Sequence, residues 1–276
     1  MIADLSVDLI HATVQLEQPL GDGTRTVGTG FLINAPNADG TSRTILVTAN
    51  HVLTRMPGAE MRIGYRFQNV DGTWQYKPQK VAIRQGAEPL WTKNPDRDVA
   101  AIEIKAPPEF AKAAIPLDWL ADAAAFDKYG VGPGYEMMAL GFPRGLSANG
   151  AGFPILRSGR VASYPVAPSK QFPTFLLDFS VFPGNSGGPV FVQRGVGADA
   201  TLMIAGMLTQ QVELDSERLE IGIVTQASFI RETLALMDRH EPGELPSTLA
   251  SPMITPMAAA PPEAFSASSP AAQVSR

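Results

Sequence analysis

Apolar residues along this chain come in short runs, or alternate with polar ones, and turn residues separate them. Residues 9–15 alternate weakly and predict a first strand, with His11 on its exposed surface. Residues 26–33 form a glycine-rich strand pattern. Asn37-Ala38-Asp39-Gly40 is a turn signal, and 43–48 is a continuous apolar run that delivers Ala49-Asn50-His51. Residues 61–67 and 74–83 alternate around Asp71-Gly72, a hairpin signal. A loop at Asn94-Pro95-Asp96-Arg97 precedes Asp98, which opens a strand over 99–104. The alanine-rich stretch 107–128 reads as a connection between two halves. The second half predicts strands over 135–141, 155–164, 174–182, 189–193, 202–210 and 219–225. Phe229, Leu234, Leu236 and Met237 have helical spacing and predict a terminal helix over 228–239. From Glu241 onward Pro, Ala and Ser dominate without periodicity, which predicts a disordered tail.

Composition agrees with many short strands joined by turns: the 276 residues include 25 Gly and 24 Pro. That length holds one large domain or two small ones. A formal charge of -5 gives no basic footprint, so nucleic acid is not an expected partner. No apolar run reaches about 18 residues, and no transmembrane span is expected. The absence of cysteine excludes disulfides, zinc–thiolate sites, iron–sulfur clusters and a cysteine nucleophile. Two acids and no basic residue among the first eight positions do not make a signal peptide. A cytoplasmic location is therefore expected, or a periplasmic or secreted one if a signal has been removed.

The chemistry concentrates in Phe182-Pro183-Gly184-Asn185-Ser186-Gly187-Gly188-Pro189-Val190. A serine hydroxyl held out on such a turn is a candidate nucleophile that needs a base, an orienting group and oxyanion donors. Only His11, His51 and His240 could supply the base. His51 follows an apolar strand and Asp98 heads another. The order His51, Asp98, Ser186 is one of the known orders of a Ser-His-Asp triad. Gly184-Asn185-Ser186-Gly187-Gly188 also satisfies the nucleophile elbow of α/β-hydrolases, which requires a helix after the serine and a later histidine. A strand pattern follows Ser186, and the only later histidine is His240, at the edge of the tail. The elbow reading, and with it a serine esterase, fails on both counts.

Six segments, in order, resemble trypsin/chymotrypsin-fold serine proteases, and among them the bacterial HtrA/Deg-like branch. They are Gly28-Thr29-Gly30-Phe31-Leu32-Ile33, Leu46-Val47-Thr48-Ala49-Asn50-His51-Val52, Asp98-Val99-Ala100-Ala101-Ile102, Met138-Ala139-Leu140-Gly141-Phe142-Pro143, Ser158-Gly159-Arg160-Val161 and Pro183-Gly184-Asn185-Ser186-Gly187-Gly188-Pro189. The resemblance implies an all-β fold of two six-stranded antiparallel barrels with a C-terminal helix. The first half (1–118) would carry His51 and Asp98, the second (119–240) Ser186, and 241–276 the disordered tail.

By the same resemblance Ser186 is the nucleophile, His51 the general base and Asp98 its orienter, with Asp96 as the rival acid. The oxyanion hole would be the N–H groups of Gly184 and Ser186. Ser180 would lie at the base of the primary pocket, beside Val181, with Thr209, Gln210, Gln211 and Gly222 as walls. No carboxylate occupies that base, so cleavage after Lys or Arg is not expected. Asn185 stands where digestive and clotting relatives carry an aspartate that pairs with a newly cut amine, so activation by N-terminal cleavage is not expected. Typical HtrA proteins carry a PDZ domain that the stretch after Glu241 is too short to form. The expected function is a serine endopeptidase acting on protein or peptide substrates without a cofactor. The alternative is a catalytically silent binding module on the same fold. The sequence fixes no oligomeric state.

Overall fold

The computed structural model describes residues 4–239 except 38–39, 123, 196–198 and 215–216. His240, the tail 241–276 and the centre of the turn at Ala38-Asp39 lie outside the described residues. Along the chain run α1 (Leu5–Ala12), β1 (Thr13–Pro19), β2 (Arg25–Pro36), β3 (Ser42–Thr48), α2 (Asn50–Thr54), β4 (Glu60–Gln68) and β5 (Trp74–Ala82). The two-residue strands β6 (Arg84–Gln85), β7 (Glu88–Pro89) and β8 (Thr92–Lys93) precede β9 (Ala100–Ile104), α3 (Pro108–Ala113), β10 (Ile115–Pro116) and α4 (Ala125–Tyr129). The second half holds β11 (Glu136–Gly141), β12 (Ile155–Val161), β13 (Thr174–Asp178), β14 (Pro189–Arg194), β15 (Thr201–Leu214), β16 (Glu217–Gln226) and α5 (Ala227–Arg239).

The predicted first strand over 9–15 is wrong in its first part, because residues 5–12 form a helix. Asp4 caps it by accepting the Ser6 N–H at 3.0 Å, and Leu9 and Ala12, three apart, face the core. His11 is therefore not an exposed strand residue. It is half-buried, with its ring 5.3 Å from Trp74 and 5.8 Å from Phe153. Burial, then the nearby Arg66 guanidinium, lowers its pKa, against an opposing pull from Asp8. The buried Arg66, 2% exposed, donates to the carbonyls of Ile10 and His11 at the end of α1 and to that of Gly152. Its desolvation brings its pKa down to about 10.

The first half is one eight-stranded sheet, in the order β5-β4-β1-β2-β3-β9-β8, with β10 added parallel to β2. The expected closed first barrel is not observed among the described residues. Its two edges explain why. β5 is largely exposed and carries Lys77, Pro78 and Lys80, residues that blunt an edge, while β8 is only two residues long. The second half meets the expectation: β11-β12-β13-β16-β15-β14 closes into a six-stranded antiparallel barrel. The predicted connection 107–128 contains α3, β10 and α4 rather than a bare linker. Between the halves the apolar side chains form one continuous core. Ile45, Leu46 and Val47 of β3 are all fully buried, so successive side chains on both faces of the strand are covered. Each such side chain contributes roughly 1.5–3 kcal/mol from burial, which holds rigid the strand end where His51 begins.

Candidate active site

His51 stands in the short helix α2, directly after β3. Ala49, at its N-cap, offers no side-chain cap. Asp98, just before the neighbouring strand β9, supplies the missing acceptor: its Oδ1 accepts the His51 backbone N–H at 2.8 Å. Its Oδ2 lies 2.5 Å from His51 Nδ1. One carboxylate thus fixes both the backbone and the ring of the histidine. Burial pushes the Asp98 pKa up, but the hydrogen bonds and charge of His51, with help from Arg55, outweigh it and leave the carboxyl below its ordinary 3.8.

The position of Asp98 comes from the loop before β9. Asn94 Oδ1 accepts the N–H groups of Asp96 and Arg97, and its amide donates to Phe229 O and Thr233 Oγ1 of α5. Asp96, the rival acid, is exposed, and among the described residues it makes no hydrogen bond or ion pair with His51.

Because folding lowers the Asp98 pKa, its contribution to stability is complete above the ordinary value and disappears as pH falls through the lowered one. The stability gap between the chain and an Asp98→Asn variant should be constant near neutral pH and narrow below about pH 4. Urea midpoints measured across that range check this, and a gap that widens on acidification contradicts it.

Ser186 sits on a turn clamped from both halves. Asn185 N–H donates to Phe182 O at 3.0 Å and Gly188 N–H to Asn185 O at 2.9 Å. From β2, Thr29 N–H donates to Ser186 O at 2.9 Å, and Thr29 Oγ1 donates to Gly184 O at 2.7 Å. Arg144 N–H donates to Pro183 O at 2.6 Å. Gly184, at φ +99, leaves its own N–H and that of Ser186 with no protein acceptor among the described residues. The Ser186 hydroxyl donates to Thr209 O at 3.3 Å, a long bond that a rotation about χ1 would release.

These residues meet in a cleft of about 550 Å³ lined by His51, Arg55, Asp98, Val181, Phe182, Pro183, Ser186, Thr209 and Gln210. The structure therefore brings His51, Asp98 and Ser186 together, with Val181, Thr209 and Gln210 of the expected pocket. Ser180 is half-buried beside Val181 but does not line the cleft. Gly222 lies behind it, so that a Cβ there would come 2.8 Å from Val181 Cγ2. Gln211 pairs through its backbone with Gly222 on β16.

A family model described as the trypsin-like peptidase domain matches residues 28–196, more than half of the chain. The chain belongs to the trypsin-like peptidase family. Among solved structures, a variant of the HtrA-type protease AlgW with a tripeptide superposes at a TM-score of 0.52 with 16% identity, covering 85% of this chain and 62% of that one. HtrA-type protease AlgW with a decapeptide gives a TM-score of 0.50 and 16% identity, covering 84% and 66%. The chain thus spans less than two thirds of the length of either, and at this identity the likeness is one of fold. No curated protein matches the chain.

Two features of this trypsin-like peptidase escaped the sequence reading. Thr29, fully buried, ties the serine turn to β2, yet nothing in its local sequence marks it out from a strand threonine. Arg55, one turn of α2 beyond His51, reaches the cleft although nothing about it signals a site residue. The Thr29 contact also explains Gly187. At φ +89, a Cβ on Gly187 would lie 1.9 Å from Thr29 O, so neither the backbone angle nor the space admits one. Gly187→Ala should lower stability by about 3 kcal/mol or more, read as a shifted urea midpoint at unchanged m-value. A loss below about 1 kcal/mol would show that the turn is not clamped as described.

Proposed function

We propose that this trypsin-like peptidase is a serine endopeptidase whose reaction runs through Ser186, His51 and Asp98. The observation that carries the reading is the shared cleft, in which one carboxylate holds His51 through two hydrogen bonds beside a glycine-flanked serine. In the proposed reaction the Ser186 hydroxyl turns from Thr209 O to His51, whose Nε2 takes its proton as Oγ bonds to the scissile carbonyl carbon. The carbonyl oxygen becomes an oxyanion that accepts from the Gly184 and Ser186 N–H groups, neither of which has a protein acceptor among the described residues. Collapse breaks the C–N bond, and His51 gives its proton to the leaving amine. Water then attacks the acyl-enzyme, losing a proton to His51, which returns it to Ser186 Oγ as the acid leaves.

No N-terminal cleavage is required in this reading. Asn185, 3% exposed, carries no charge to pair with a new amine. A fluorophosphonate probe and a casein digest test the proposal together. Labelling at Ser186 with casein cleavage supports it. Labelling without cleavage favours an esterase, and the absence of both labelling and cleavage favours the silent binding module.

The preference proposed for the residue before the cut is small or medium and apolar. Val181 and Thr209 line the cleft, Ser180 sits beside it, and none carries a charge to pair with a cation. Burying an unpaired Lys or Arg head there costs several kcal/mol, while an apolar side chain gains roughly 1–3 kcal/mol. Val, Ala, Leu or Met should be favoured by at least about a hundredfold in kcat/KM. A peptide library cleaved mainly after Lys or Arg would overturn the pocket and leave the triad standing.

A further inference from the structure

One arginine lines the cleft and two more stand beside its lining residue Phe182, and none of the three makes an ion pair among the described residues. Arg55 lines it on the side of His51 and Asp98. The guanidinium carbons of Arg144 and Arg157 lie 5.7 and 5.6 Å from the ring centre of Phe182, itself part of the cleft lining. Arg157 also lies 5.5 Å from the Phe179 ring. An aromatic ring orients a guanidinium without neutralising it, and its N–H donors remain available to a ligand's acceptors in exchange for water. The carboxylate in the cleft, Asp98, is already held by His51. Asp178 and Glu136 open into a separate pocket of about 280 Å³, which they share with Arg160. In a chain of net charge -5, the cleft that holds Ser186 and His51 is thus bordered by positive charge: Arg55 shares the Asp98 carboxylate with His51, while Arg144 and Arg157 have no carboxylate partner among the described residues.

We infer that the cleft selects acidic peptides: segments with Asp or Glu flanking the bond presented to Ser186, whose carboxylates accept from Arg55 on one wall and from Arg144 and Arg157 on the other. The inference rests on the cleft being a peptide site, as proposed above. It adds that the acidic side chains lie outside the apolar pocket, so the two preferences act on different residues of one substrate. Arginine suits this task because its planar fork pairs a carboxylate through two hydrogen bonds. Positive charge around a cleft also speeds the encounter with an acidic chain, in a way that salt screens.

The test uses the Ser186→Ala chain, which binds without cutting, and fluorescent peptides identical except for flanking Glu, Gln or Lys. Anisotropy should show the Glu peptide binding about tenfold tighter than the Gln peptide, the worth of one charge-assisted hydrogen bond. The Lys peptide should bind more weakly still, and the Glu advantage should shrink as salt rises. An Arg55→Gln/Arg144→Gln variant should lose most of the difference. Because the Glu-to-Gln change is made on the peptide, the result does not depend on any variant's folding. Equal affinity for the three peptides, or no binding of any of them, overturns the inference. The same peptides offered to the unchanged chain separate the two claims. Tight Glu binding without hydrolysis overturns the endopeptidase reading and leaves the charge selection standing. Hydrolysis at equal kcat/KM for all three overturns the charge selection alone.

Discussion

Replacing Ser186 with alanine is expected to remove on the order of 10⁶ from peptide turnover and to leave the fold unchanged. The expectation follows from what the side chain does and does not hold. Its hydroxyl makes one long bond, to Thr209 O, while the turn itself is held by backbone bonds and by Thr29, none of which the substitution touches. Stability should therefore stay within about 0.5 kcal/mol, the range for changes away from packed or hydrogen-bonded features. Peptide affinity should survive as well, because the rest of the cleft lining remains. The residual rate would be that of a cleft that still binds the peptide and polarises its carbonyl but offers no nucleophile. Turnover of the variant within tenfold of the original would remove Ser186 from the mechanism. Loss of stability alongside loss of rate would mean that the hydroxyl is structural.

How much of this was legible depends on the range of the interactions involved. The apolar run ending at His51 and the glycine turn around Ser186 are local patterns, and both landed in the cleft. The strands of the closed barrel were legible for the same reason, since alternation and turn residues act over a few positions. Apart from the Asp4 cap, what decides α1 is not local. Its weak alternation resembles a strand, and the helix is held by burial of Leu9 and Ala12 and by Arg66, which comes from β4 to bond Ile10 O and His11 O. Closure of the first sheet would require its two edge strands to pair. Their exposure and shortness were visible only once the sheet order was known. Thr29 meets Gly184 from the opposite half, so its role could not be read from its neighbours in the chain. In the sequence, resemblance alone separates Asp98 from Asp96. The Asn94 hydrogen bonds supply a physical reason, because they direct the chain so that Asp98 faces His51.

Asp98→Asn is expected to lower kcat by about 10⁴ while the chain stays folded at neutral pH, the size of effect seen for the same change in a well-studied serine protease. Here the reason can be written atom by atom. Asp98 accepts twice from His51, from the backbone N–H through Oδ1 and at the ring Nδ1 through Oδ2. An asparagine has one oxygen and one NH₂ in the same place. The backbone N–H is a fixed donor and claims the oxygen, which turns the NH₂ toward Nδ1. The ring must then accept at Nδ1 and carry its proton on Nε2, the nitrogen required to take the Ser186 proton. The imidazolium formed during the reaction would also lose the carboxylate that stabilises it. KM should change less than kcat, since the rest of the cleft lining is unaltered. With hydroxide taking over proton removal, the variant should regain rate as pH rises well above neutral. A variant with unchanged kcat at pH 7 would show that Asp98 only anchors α2.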